Sequence, residues 1–244
     1  MKKAFFIILL AVTVKSFKSQ TIQTDRPSVQ TENSSTVYKD GFQVEYGITT
    51  SVIQDTIDNI AIPNSLYRFG ISDNIEIRIS NDLIFRNSFK DIIITPLQFG
   101  SKFQIFKKEK SNLAFLTMIA MNSLKNENRS SFFQNINTKF IGSYSFINSV
   151  NLGYTFGHNL NPVKEKNDIN YSLLISKEMK NNFTAFIEFY GNINYVEEIS
   201  NFSSFDFGLA YVVEDKLQLD IYTGSDLNFS NYFLAIGFSY LFIK

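Results

Sequence analysis

The 244-residue chain has no cysteine and no tryptophan, one histidine, 4 prolines, 11 glycines and no net formal charge. Without cysteine there is no disulfide framework and no thiolate metal site. A balance of 23 basic and 23 acidic residues gives no reason to expect nucleic acid as a partner. The only histidine, His158, lies in a predicted outer loop and reads as a solvated side chain. No GxSxG, HExxH or P-loop pattern supplies a nucleophile, a zinc site or a phosphate cradle. The expectation is therefore a non-enzyme, with no catalytic residue, no metal and no cofactor. Long apolar runs are also missing: nothing after the N-terminus approaches the eighteen residues that mark a membrane-spanning helix. Disorder is excluded by 26 Phe and 12 Tyr, a content that disordered chains do not carry.

The N-terminus has the pattern of a secretory signal. Lys2 and Lys3 precede the apolar run Ala4 to Val14, the length of a signal core and too short to cross a bilayer. Cleavage is expected near Val14-Lys15-Ser16 or at Ser19-Gln20, so residues 1–20 are taken as the signal. Residues 21–41 then form an N-terminal periplasmic or plug segment, and 42–244 the main body.

Beyond that point, period two recurs throughout the chain. Phe42, Val44, Tyr46 and Ile48 alternate with Gln43, Glu45 and Gly47. Ile75, Ile77 and Ile79 alternate with Glu76, Arg78 and Ser80. Leu217, Leu219 and Ile221 oppose Gln218, Asp220 and Tyr222, and Tyr232, Leu234, Ile236, Phe238 and Tyr240 close the chain. This is the strand signature; a helix would repeat near 3.6. Roughly twelve strands follow, near 42–50, 64–71, 74–82, 96–106, 112–121, 137–146, 149–157, 168–177, 182–191, 204–213, 215–224 and 231–242.

Short turns at Ser72-Asp73, Lys107 to Lys110, Ile147-Asn148, Lys177 to Asn181 and Glu214-Asp215 alternate with longer polar loops at 51–63, 83–95, 122–136, 158–167, 192–203 and 225–230. Short inner turns, long outer loops and an even strand count define outer-membrane barrels. The fold expected is all-β: an antiparallel up-and-down transmembrane β-barrel of about 12 strands, in the outer membrane of a Gram-negative cell, with both termini periplasmic. A secreted sandwich or lipocalin-like barrel is the other solution for alternating strands, and the strand count disfavours it.

In such a barrel the polar face lines the lumen, where Glu45, Arg68, Glu76, Arg78, Lys102, Glu188, Asp206 and Asp220 fall as a solvated lining. Tyr46, Tyr67, Tyr154, Tyr171, Tyr211, Tyr232 and Tyr240 fall on the apolar face and suit an interfacial girdle. The stretch Leu113 to Met121 breaks the alternation, being apolar on both faces. It places Leu116 and Met118 inward, as Leu174 and Phe186 also are, either as local packing or as part of an apolar lumen. Asp25 and Arg26 either pair with lumen charges as part of a plug or begin a periplasmic turn with Pro27.

Several segments resemble a known family. They are Thr24-Asp25-Arg26-Pro27, Gln30-Thr31-Glu32, Tyr38 to Glu45, Tyr67 to Arg78, Phe186 to Gly191 and Asp206 to Tyr211. Together they are similar to the outer-membrane family labelled "MetA-pathway of phenol degradation". The resemblance implies a porin-like barrel transporter that passes a small hydrophobic or aromatic solute. Phe238 to Lys244 resembles the aromatic C-terminal strand read by the barrel-assembly machinery, although Lys244 replaces the usual terminal aromatic. The expected partners are thus outer-membrane lipid, the assembly machinery and a small-molecule solute. The alternative function is a structural barrel with a closed lumen whose outer loops bind a partner.

Overall fold

A computed structural model describes residues 22–53, 56–86, 89–121, 133–161, 166–195, 201–228 and 230–243. The expected signal peptide, and Lys244, lie outside them. Thirteen strands follow in order: β1 (Phe42–Ile53), β2 (Thr56–Ser72), β3 (Ile75–Arg86), β4 (Asp91–Ile94), β5 (Gln98–Lys107), β6 (Ser111–Met121), β7 (Phe133–Ser145), β8 (Val150–Asn161), β9 (Lys166–Glu178), β10 (Phe183–Asn194), β11 (Phe202–Glu214), β12 (Leu217–Asp226) and β13 (Asn231–Phe242). Each pairs antiparallel with its neighbours in chain order, except that β4 and β5 both pair with β3, and β13 returns to β1 from Phe42↔Phe242 to Ile53↔Asn231. The sheet closes on itself and has no free long edge, which lets backbone polar groups be satisfied in lipid.

β4 and β5 act as one interrupted strand. Leu83 to Arg86 of β3 pair with β4, and Ile75 to Ser80 pair with β5. Pro96, which lacks an N–H, sits at the break. The ladder is repaired locally: Asp82 N–H donates to Thr95 Oγ1 at 2.7 Å, Thr95 N–H to the Asp82 carbonyl at 2.9 Å, and Met121 N–H to the Leu97 carbonyl at 2.9 Å. Counted this way the barrel has twelve strands.

The strands run further than the alternation indicates. β2 has 17 residues where eight were expected, and most of the expected loop 51–63 is the top of the β1–β2 hairpin. The expected loop 83–95 likewise contains the β3–β4 pairing. His158 is not in a loop but in β8, opposite Thr138 and Ile169. Polar residues break the visible pattern at the β1–β2 and β8–β9 tops, and a run apolar on both faces (Leu83 to Phe85, Ile92 to Ile94) does so at β3–β4, yet the backbone pairing continues through them.

The two faces invert the usual globular order. Outward residues such as Ile187, Phe207, Ile221, Leu234 and Ile236 are exposed, while Arg68, Glu76, Lys102, Glu188 and Asp206 are fully buried inside. An apolar exterior around a polar interior is what a bilayer selects. Rings stack across the short-turn end of the exterior, Phe42 lying 4.6 Å from Phe69 and 5.5 Å from Phe242. Slightly farther along, the Tyr46 and Tyr67 hydroxyls meet at 2.6 Å.

Candidate functional site: a lumen crossed by the N-terminal segment

The interior charges are not a solvated lining. Residues 22–41 fold into the barrel and take the place of water there. The segment is tied at the short-turn end, where Ile22 N–H donates to the Asp215 carbonyl at 2.7 Å and Thr36 Oγ1 donates to the Asp73 carbonyl at 2.8 Å. Between these points it has no regular structure, so its backbone donors need other acceptors. The wall carboxylates supply them. Glu45 accepts from the N–H groups of Asp25 and Arg26 at 3.1–3.2 Å. Glu188 accepts from three in succession, Val29 at 2.9 Å, Gln30 at 3.1 Å and Thr31 at 2.5 Å. Glu76 accepts from Val37 at 2.7 Å. Hydroxyls add to this: Thr31 meets Ser172 and Ser34 meets Ser143, each at 2.7 Å.

Asp25 is the centre of the charge network. Its carboxylate contacts Arg78, lies 3.2 Å from Lys102 Nζ and 3.5 Å from Arg68, and accepts the Asn33 N–H at 2.9 Å. Burial alone would raise its pKa, but the three cations outweigh burial and hold it below the ordinary carboxylate range. Glu32 contacts Arg78 and lies 3.0 Å from Lys139 Nζ. The same contest, burial against Arg78 and Lys139, leaves its pKa at about 2. Arg68 in turn reaches Glu76 at 2.9 Å and Glu45 at 3.0 Å.

Arg26 takes a separate position. Its guanidinium donates to Asp220 at 2.9–3.2 Å and sits 5.5 Å over the Tyr222 ring. It lies flat on Gly47 and Gly237, which pair across β1 and β13. A Cβ on either glycine would come within 2.3–2.4 Å of guanidinium atoms, so the wall must be bare there.

Space remains on both sides of the segment. A cavity of about 490 Å³ faces the loop end and one of about 330 Å³ faces the short-turn end; Asp25, Arg26, Ser28 and Glu32 wall both. A third, of about 350 Å³, opens at the loop-end rim. All eight charged residues expected on the polar face point inward and are buried. Asp25 and Arg26 are brought among them rather than left in a turn.

The four apolar candidates divide. Leu116 and Met118 pack with Ile141 in one cluster. Phe186 packs with Tyr222 and Ala235, with Leu174 and Phe233 against them. Leu174 and Phe186 wall the short-turn cavity, Tyr222 and Phe233 the loop-end cavity, so this second cluster runs past the segment from one cavity to the other. Ring centroids along it are 6.5 Å (Phe186–Tyr222) and 5.8 Å (Tyr222–Phe233) apart. Sequence reading missed Glu32, Lys139, Tyr222 and Phe233 as site residues. The signal for Tyr222 was present, since the alternation puts it on the polar face with Gln218 and Asp220.

A family model described as "Putative MetA-pathway of phenol degradation" matches residues 24–242. No curated protein matches the chain in sequence. Among solved structures, the NanC porin superposes with a TM-score of 0.63 at 9% identity, covering 81% of this chain and 98% of that one. The KdgM porin in complex with disordered oligogalacturonate gives 0.61 at 9% identity, covering 82% and 99%. An outer-membrane channel from Pseudomonas putida F1 gives 0.53 at 10% identity, covering 88% and 100%. At these identities the likeness is one of fold.

Proposed function

The chain belongs to the MetA-pathway of phenol degradation family of outer-membrane barrels, and on that premise we propose that it is a channel passing a small hydrophobic or aromatic solute by passive diffusion. The N-terminal segment 22–41 acts in it as a lumen plug. The observation that carries this reading is the apolar stripe Leu174–Phe186–Tyr222–Phe233, which joins the cavities on either side of the segment. An aromatic solute could exchange ring contacts along it without first stripping the plug from its charges. The buried wall charges Glu45, Arg68, Glu76, Arg78, Lys102, Glu188 and Asp220 then serve to seat Asp25, Arg26 and their neighbours; Asp206 stands opposite Glu188 on β11. The exposed apolar belt fits outer-membrane lipid, and β13, ending in Tyr240-Leu241-Phe242, is the strand for the assembly machinery to read.

The test is permeability of the purified barrel in liposomes and planar bilayers. Stepwise conductance, and faster entry of phenol-sized neutral solutes than into empty vesicles, are the expected results. A barrel impermeable to every small solute would sink the channel reading. The tightness with which the segment is held favours a second reading in that event, a closed barrel whose outer loops bind a partner.

A further inference from the structure

The walls of the three cavities carry a charge imbalance that the neutral composition hides. Asp25, Glu32, Glu45 and Asp82 line the loop-end cavity; Arg68, Arg78, Lys102 and Lys139 pair with the first three, which leaves Asp82 without a cation partner. The short-turn cavity adds Glu178, and the rim cavity has Asp58 and Asp226, with no basic side chain on either beyond Arg26 among the described residues. The cations are also spent: Arg26 is paired with Asp220, and Arg78 with Asp25 and Glu32. Asp58, Asp82, Glu178 and Asp226 are bonded instead to neutral donors, namely Asn59, the Ser65 N–H, Asn151 and Ser230. Uncompensated carboxylates thus stand at both ends of the path and beside its middle, and walls of one sign raise the local concentration of the opposite ion. The aromatic stripe gives the same preference, for the Arg26 guanidinium already rests over the Tyr222 ring.

We propose that this lumen selects cations, and that the charged solutes it admits are small organic ammonium ions, ring-bearing ones above all, rather than organic anions. The inference rests on the channel reading and deepens it. The experiment uses the full mature barrel in planar bilayers. Under a KCl gradient, the reversal potential should give a K⁺ over Cl⁻ preference of about fivefold or more at low salt, falling as salt screens the walls. Benzylammonium should permeate better than benzoate, an ion of similar size and shape. The double variant Asp58→Asn/Asp226→Asn, at rim positions, should move the K⁺/Cl⁻ ratio towards one, and adding Asp82→Asn should move it further. A current carried mainly by chloride or benzoate, or a ratio unmoved by these variants, overturns the proposal. Absence of any current overturns the channel reading beneath it.

Discussion

Glu188 holds three consecutive backbone N–H groups of an irregular segment, a role that calls for a side chain with two acceptor oxygens. Glu188→Gln keeps the size but loses the charge and turns part of the group into a donor. With hydrogen bonds to charged groups worth about 1.5–3 kcal/mol each, docking of the segment should weaken by about 2–4 kcal/mol. Limited proteolysis should then cut within 28–36 where the parent resists, and resistance in the variant would count against this role. Asp25 and Glu32 make the segment acid-resistant. Both have folded pKa values lowered from the ordinary range near 4, Glu32 to about 2. Their contribution is therefore fully present above that range; that of Glu32 is lost as pH falls through about 2, and that of Asp25, also lowered, is lost in the same direction. The segment should stay protease-resistant at pH 4, and release already at pH 4 would contradict the ion pairs described.

For a single strand, the two faces carry different penalties. Ile221 on β12 faces outward and is 48% exposed, between Asp220 and Tyr222 which face in. Ile221→Arg should cost about 2–4 kcal/mol in urea unfolding from lipid vesicles, the penalty of a lipid-facing cation near mid-bilayer. The same substitution at Ile147, 79% exposed in the short turn Ile147–Ser149, should cost less than about 1 kcal/mol. Equal effects would mean that Ile221 does not face lipid. Strand ends follow different physics from strand middles. Alternation marks where one face meets lipid, so it located the middles well. Above the apolar belt both faces meet water, and the hairpin tops β1–β2 and β8–β9 left no period-two trace although their ladders persist; the β3–β4 top is apolar on both faces and so shows no alternation either.

At the scale of the whole molecule, the barrel and the segment within it are separable in principle. The wall closes by its own ladder from β1 to β13 and needs nothing from residues 22–41. Deleting 22–36 should therefore leave a folded barrel, its wall charges rehydrated by a lumen open at both ends, with unit conductance several-fold above the parent. A deletion that fails to fold would show that the segment is part of the core, and unchanged conductance would show that it does not block the path. Sequence alone determined the architecture, because a bilayer imposes period two on each strand and short–long alternation on the connections, both local in the chain. It also determined which residues face inward, since parity does not depend on what fills the lumen. What fills it was decided only in three dimensions. Asp25 lies 77 residues from Lys102, and Val29 lies 159 from Glu188. No local pattern encodes contacts at such separations, and the charges that read as a wet lining are instead the acceptors and counter-ions of the chain's own N-terminal segment.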